Sequence, residues 1–463
     1  MTNQAVTETI EVDLCVVGAA GLPAAMAAAA FGAPVALVAE VDGGVPALAI
    51  SALAAAARIE QGDVPAASAD SRWLAARDRV QQACAAAAPN RSLARAEAIG
   101  VRVTRAVGRF VDGKTLDAGG RLIRARRFII AAGASPLLPP IPGLTPDQTY
   151  TPETITNVPE PPAHLIIIGA GSTGLALGQS IVRFGARVTV IEAGRALRRE
   201  DPEIARIVLE RLAADGVVVR ERKTIERVVG APGDIRVALV GGEQIHCTHL
   251  LLAAGRRPRI QTLQLDRAGV AHDASGIIVD RHLRTSNRRI YAIGDCIAGY
   301  PYAANSAQHH AGLVMRAILF RLPAKIDAPS VPRVTFTDPE IAACGISEAE
   351  ARAVRKDVVT LRWPFAENET ARARDCVEGH VKLVATKSGR ILGVAIVGRG
   401  ASEILPLWTL AIAKRLKVGD IAGVMFPSPT LSQVSQNVAA SFLAPVSRNP
   451  LARRLAALLR SFG

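Results

Sequence analysis

HLIIIGAGSTGLALGQSIVRFGARVTVIE, His164 to Glu192, reads as an apolar strand, a glycine turn, a helix, a second apolar strand and a closing acid. The same order occurs earlier, in VDLCVVGAAGLPAAMAAAAFGAPVALVAE from Val12 to Glu40, down to a shared Phe-Gly-Ala before the second strand. Each stretch is a βαβ unit. Two copies about 150 residues apart predict two dinucleotide-type domains in tandem, since solenoid repeats are far shorter. A second pair supports this: RRFIIAAGASP (Arg126 to Pro136) and THLLLAAGRRP (Thr248 to Pro258) are both apolar strands ending in Ala-Ala-Gly and closing at proline.

The later turn is a full GxGxxG, Gly169-Ala170-Gly171-Ser172-Thr173-Gly174. Gly169 allows the tight turn, Gly171 the approach of a pyrophosphate, and Gly174 close packing of helix on strand. The helix start, with Ser172 and Thr173, then offers free amides and a positive dipole end. Glu192 stands at the tip of the second strand, where a carboxylate accepts from ribose hydroxyls and repels a 2′-phosphate. This predicts NAD(H) in preference to NADP(H), with Gly255 of the second Ala-Ala-Gly turn alongside.

The earlier turn is two residues shorter. Gly18 to Phe31 is 13 residues where Gly169 to Phe184 is 15, so GAGSTGL becomes GAAGL and the middle glycine has no counterpart. Such a turn can still aim helix amides at a phosphate, with Ala20 crowding the approach. Glu40 keeps the position of the closing acid.

The rest of the chain bounds the reading. At 463 residues it holds several domains, and 49% hydrophobic with 4% aromatic residues describes an aliphatic core. No long apolar run or signal pattern occurs, which points to a cytoplasmic protein. Six cysteines lie far apart, against a zinc site or a local redox pair. The net charge of +14 is scattered arginine with no basic run interleaved with aromatics, so no nucleic-acid partner is expected. PLLPPIPG, Pro136 to Gly143, reads as a linker. The expected units are 1–145 with 272–330, then 146–271, then an α+β domain over 331–445. Residues 446–463 would form a basic amphipathic helix. Its Leu451, Leu455, Leu458, Leu459 and Phe462 lie on one face and Arg453, Arg454 and Arg460 on the other, suited to a partner surface or an anionic membrane.

Two such domains followed by an α+β domain resemble the pyridine nucleotide-disulfide oxidoreductases. The most specific pieces are IYAIGDC (Ile290 to Cys296), TDPEIAACGISEAEA (Thr337 to Ala351), RWPFAENETARA (Arg362 to Ala373) and PTLSQ (Pro429 to Gln433). The resemblance implies an α/β fold of two Rossmann-like FAD- and NAD(P)-binding domains, with a C-terminal α+β domain through which two copies dimerise. It implies FAD in the first domain, at Gly18, Ala19, Gly21, Ala132 and Gly133, with Glu40 on the adenosine ribose and Asp295 on the ribityl chain.

The chain departs from the family at its chemistry. The family needs a CxxxxC pair directly after a Gly-Gly, one thiol facing the flavin and the other the substrate disulfide. Here Gly43-Gly44 is followed by VPALAISALAAAAR, Val45 to Arg58, with no cysteine. The family's His-Pro-Thr-x-x-Glu base dyad is Ser428-Pro429-Thr430-Leu431-Ser432-Gln433, which cannot titrate near neutrality. Its Lys–Glu pair beside the flavin is also missing, with Ser51-Ala52-Leu53 and Ala176 in place. Two functions are compatible with this pattern. One is an FAD-dependent NADH oxidoreductase without disulfide chemistry, passing electrons to a quinone, dye, dioxygen or protein. The other is a non-catalytic dimeric scaffold that binds nucleotide.

Overall fold

The computed structural model describes residues 9–44, 46–59, 68–300, 305–323, 325–326, 331–444 and 450–460. The first sheet takes β1 (Thr9–Val17), β2 (Val35–Val38), β3 (Arg102–Thr104), β4 (Gly108–Asp112), β5 (Thr115–Ala118) and β6 (Arg121–Ile130) in the order 3-2-1-6-5-4. β1, β2, β3 and β6 run parallel, and β2 is buried along its whole length, as expected of a strand covered on both faces. Helix α1 (Leu22–Ala30) makes the crossover from β1 to β2 and buries Leu22, Ala24, Ala25 and Ala28.

Three helices fill the next crossover: α2 (Pro46–Ile59), α3 (Ala69–Ala87) and α4 (Leu93–Ala98). The buried faces of α2 and α3 pack on the second nucleotide-type unit, not on the first sheet. Trp73 of α3 meets Phe184 edge to face, with centroids 5.5 Å apart, and its indole N–H donates to Val158 O at 2.9 Å.

After the short strand β7 (Ala134–Pro136), the second sheet is assembled from β8 (Thr149–Tyr150), β9 (His164–Ile168), β10 (Arg187–Glu192), β11 (Val217–Glu221) and a later strand, β15 (His249–Leu252). All are parallel, in the order 11-10-9-15-8. Helix α5 (Ser172–Val182) follows β9, and α6 (Pro202–Ala214) follows β10. An antiparallel flap of β12 (Ile225–Ala231), β13 (Asp234–Leu239) and β14 (Gln244–Cys247) precedes β15. Then β16 (Arg256–Pro258) pairs antiparallel with β7, so the two Ala-Ala-Gly turns are joined by a two-stranded ribbon.

A small hairpin, β17 (His272–Asp273) and β18 (Gly276–Ile277), leads back to the first sheet. There β19 (Ile290–Ala292) lies parallel to β6, and α7 (Ser306–Phe320) packs on α1. The last sheet is antiparallel, with β20 (Arg333–Thr335), β21 (Glu340–Gly345), β22 (Val358–Pro364), β23 (His380–Thr386) and β24 (Ile391–Gly398) in the order 20-21-24-23-22. It carries α8 (Glu348–Val354), α9 (Glu369–Ala373), α10 (Ala401–Ala413), α11 (Val418–Ala422) and α12 (Gln433–Ser441).

Charge locks this last unit onto the second. Lys382 of β23 is almost fully buried, and its ammonium lies 2.8 Å from Asp201, 3.0 Å from Glu203 and 3.0 Å from Glu348. Arg362 adds a bidentate pair to Glu203 at 2.7 Å. Hydrogen bonds from Arg362 and Lys382 pull Glu203 down to about 2, and against the upward push of burial those from Lys382 and Arg352 pull Glu348 down to about 2 as well. Because the folded values lie below the ordinary carboxylate value, their stabilisation is present above about pH 4.5 and fades as pH falls toward 2.

Among the described residues no helix is long and apolar enough to cross a membrane. The helix Pro450–Leu459 exposes Leu458 and Leu459 together with Arg453, Arg454 and Arg460. The side chains of Leu451, Leu455 and Phe462 lie outside the described residues.

Candidate functional site: two nucleotide turns and the floor between them

The second turn is built as its glycines require. Gly169 has φ +108°, and a Cβ there would stand 2.5 Å from Ala253 O. A Cβ on Gly174 would stand 2.2 Å from Gly169 O. Gly171, at φ −81°, faces open space. Ala170 N donates to Glu192 Oε2 at 2.9 Å and Gly194 N to Oε1 at 2.8 Å, so the carboxylate ties the turn to the end of β10. Among the described hydrogen bonds none uses the N–H of Gly171, Ser172 or Thr173, and these residues are exposed or half-buried. Three such donors at a helix start beside an acid have the chemistry of a candidate phosphate cradle.

The first turn closes differently. Gly18 (φ +106°) abuts Ala131 and Ala132 as Gly169 abuts Ala253, and a Cβ on Gly21 would strike Val16 and Ala131. The outer glycines therefore do the same packing work in both copies. With two residues fewer, however, Ala19–Gly21 winds into a 3₁₀ turn. Gly21 N donates to Gly18 O at 3.0 Å, Leu22 N donates to Ala19 O, and Pro23 has no N–H. Ala19 N and Ala20 N make no hydrogen bond among those described, so the cropped turn keeps two free amides where the second turn has three. Sequence comparison located the missing glycine but gave no weight to Pro23. Glu40 stands exposed two residues beyond β2, with no hydrogen bond among those described.

Asp295 lies half-buried on the turn after β19, with no side-chain hydrogen bond among the described residues. Burial pushes its carboxyl up, while the Arg256 guanidinium partly offsets this. Gly133 (φ +67°) leaves open space where a side chain would stand, and Gly255 (φ +126°) does the same in the second turn. Arg256 donates to Glu153 at 2.8 Å and to Ala134 O at 2.7 Å, bridging the two turns. Its functional position was missed in the sequence, where it read only as part of a repeated loop.

His310 of α7 was missed as well. It is fully buried, and its Nδ1 accepts from Gly294 N at 3.2 Å, holding the backbone next to Asp295. The proton of the neutral ring therefore sits on Nε2, which has no partner among the described residues. Burial, with His309 nearby, pulls His310 down to about 4 from the ordinary 6.5. The unfolded chain thus binds the proton more readily, so acidification from about pH 6.5 to 4 removes stability at up to about 1.4 kcal/mol per unit. Unfolding in urea across that range should show a steeper pH slope for the parent than for His310→Asn.

The described part of α2 and the facing side of α5, where the resemblance leads one to expect a dithiol and a Lys–Glu pair, pack through apolar side chains. Leu53 of α2 and Ala176 of α5 are both buried in one cluster with Ile50, Ala56 and Leu175. Burial raises Cys15, Cys84 and Cys376, raises Cys247 to about 12 and raises Cys296 to about 11. Such thiols are poor nucleophiles. In the last unit Gln433 Oε1 accepts from Thr430 N at 3.1 Å, capping its own turn, and Ser428 is exposed.

The sequence profile of the pyridine nucleotide-disulphide oxidoreductases matches residues 12–311, and that of their dimerisation domain matches 331–439. The chain belongs to this family. Its members bind FAD and NAD(P), and their C-terminal domain joins two copies. A mercuric reductase of Acidithiobacillus ferrooxidans is 34% identical over 362 residues, spanning 75% of this chain and 64% of that protein. The chain thus spans less than two thirds of that reductase. A dihydrolipoyl dehydrogenase of Geobacillus stearothermophilus is 31% identical over 350 residues, 73% of this chain and 74% of that protein. The crystal structure of LpdA from Mycobacterium tuberculosis superposes with a TM-score of 0.83 at 25% identity, covering 93% of this chain and 99% of LpdA. RclA of Escherichia coli, a flavoprotein disulfide reductase, shares the fold with a TM-score of 0.82 at 23% identity, covering 92% and 99%.

Proposed function

We propose that this family member is an NADH-dependent flavoprotein oxidoreductase that works without a thiol relay, its electrons passing to a quinone, dye, dioxygen or protein acceptor. The observation that carries this reading is an open, acid-flanked candidate phosphate cradle at Gly171–Thr173 joined by the β7–β16 ribbon to a first unit whose cysteines, Cys15, Cys84 and Cys296, all have thiols raised by burial. The cradle amides would hold the pyrophosphate of NADH, and Glu192 its adenosine ribose. Asp295, an acceptor with no side-chain hydrogen bond among the described residues, fits a ribityl hydroxyl, and Gly133 leaves room for it. Flavin, when bound, supplies hydride acceptance and needs no protein acid or base. The chain's part is to orient the nicotinamide and to keep water and nucleophilic thiols from the contact. The scaffold alternative is favoured by one observation, the shortened first turn, in which Gly21 N and Leu22 N are hydrogen-bonded within the turn.

NADH oxidation by the full chain with excess FAD and a quinone or dye tests this. Blocking the thiols with iodoacetamide should leave the rate within about twofold, because burial holds the five shifted thiols protonated at neutral pH. A tenfold loss would contradict the reading. Cofactor choice is tested separately. Glu192 beside a ribose should make NADH raise the melting temperature more than equimolar NADPH, and equal shifts would refute that preference.

A further inference from the structure

Two strands share the outer edge of β6. β1 pairs with β6 from Leu122 to Ile130, so β5 and β19 both lie on its other side. β5 covers the first part, with Thr115 opposite Arg124, and β19 the last part, with Ile290 opposite Phe128. Beside the gap between them is a cleft of about 580 Å³, within the size of small-ligand sites. Its walls are the β4–β5 turn, Arg124 of β6 and the loop before β19, and it shares no lining residue with either nucleotide turn.

The backbone of these walls is held from within. Lys114 N donates to Asp112 Oδ1 at 2.7 Å, and Ala125 N donates to Lys114 O at 3.1 Å. Asn287 Nδ2 donates to Ala268 O at 2.8 Å and to Gly113 O at 3.4 Å, while its Oδ1 accepts from Arg289 N at 3.0 Å. The cationic side chains are left over. Lys114, Arg124 and Arg289 all line the cleft and are exposed, and none of the three side chains has a hydrogen-bond or carboxylate partner among the described residues. Asp112 is the one acid in the lining, which therefore carries a net charge of +2, and no large apolar side chain joins it.

Like charges gathered at one cleft raise a positive potential that draws in anions. Guanidinium forks match phosphate oxygens in pairs, and an ammonium adds a point charge. The lining offers nothing to an aromatic base or an acyl chain. We propose that this cleft binds a small polyanion, a compact phosphate compound with two or more negative charges and little apolar surface. The proposal stands apart from the flavoprotein reading, since none of these residues belongs to the candidate cofactor site.

Inorganic pyrophosphate is the probe, titrated calorimetrically into the full chain with NADH in excess to occupy the Gly171–Thr173 amides. It should bind, and Arg124→Gln or Arg289→Gln should each weaken it by at least about tenfold, the value of one hydrogen bond to a charged group. The two substitutions report on the cleft whether or not NADH fills the cradle. Both positions are exposed, so the unliganded variants should melt within about 2 °C of the parent. Arg227→Gln combined with Arg236→Gln removes more charge from exposed positions on β12 and β13, and should leave the affinity within about twofold. Absence of pyrophosphate binding, binding indifferent to both cleft substitutions, or equal weakening by the β12–β13 variant would overturn the proposal.

Discussion

Gly171→Leu should weaken NADH binding by at least about 100-fold while leaving the melting temperature of the unliganded protein within about 2 °C of the parent. The reason is geometric. Gly171 has an ordinary φ of −81° and nothing within 4 Å of a Cβ, so the new side chain costs the fold little. It projects into the space that the pyrophosphate must enter, and it separates the ligand from the amides of Ser172 and Thr173. Losing two hydrogen bonds to a charged group removes about 3–6 kcal/mol of binding. Gly174→Ala supplies the contrast. A Cβ there would lie 2.2 Å from Gly169 O, so this smaller substitution should lower both stability and binding. Isothermal titration with NADH, paired with calorimetric melting of each variant, checks the two together.

Lys382→Ala should destabilise the protein by about 3–5 kcal/mol, the typical cost of removing one partner from a buried ion pair. The side chain is 6% exposed and faces three carboxylates within 3.0 Å, and alanine leaves Arg362 and Arg352 as the cations beside them, since burial lowers the half-buried His380 and keeps it neutral at pH 7. Asp201 and Glu203 belong to the second unit, Glu348 and Lys382 to the third. The variant should therefore melt in two transitions where the parent melts in one, the third unit parting first. Lys382→Met, which keeps the apolar stem, should recover only part of the loss. Differential scanning calorimetry at pH 7 reads both effects. A single transition within about 1 kcal/mol of the parent would show that the cluster holds nothing together.

Much of the fold was legible because the repeat carried it. Strand, turn, helix, strand and acid recurred from Val12 and from His164, and the parallel strands at the heart of both sheets follow from those pairs, though not the antiparallel β4 and β5 that extend the first. The outer glycines were legible for a steric reason: Gly18, Gly21, Gly169 and Gly174 each sit where a Cβ would strike neighbouring atoms, most of them backbone. The direction in which the first turn closes was not legible. It depends on which carbonyl each amide finds once two residues are removed, and Pro23 passed as an ordinary helix-start residue. Also hidden was the packing of α2 and α3 on the second unit, since an Ala- and Leu-rich helix does not name its partner. His310 and Lys382 are single polar residues whose meaning is a three-dimensional neighbourhood. Periodicity carries no trace of that.

The most direct test is an anaerobic NADH titration of the full chain in the presence of added FAD, followed in the visible flavin band. Bleaching of the flavin in the presence of catalytic amounts of protein, unchanged after all accessible thiols are alkylated, is the expected result. A flavin spectrum that NADH leaves untouched at every FAD concentration would contradict the account.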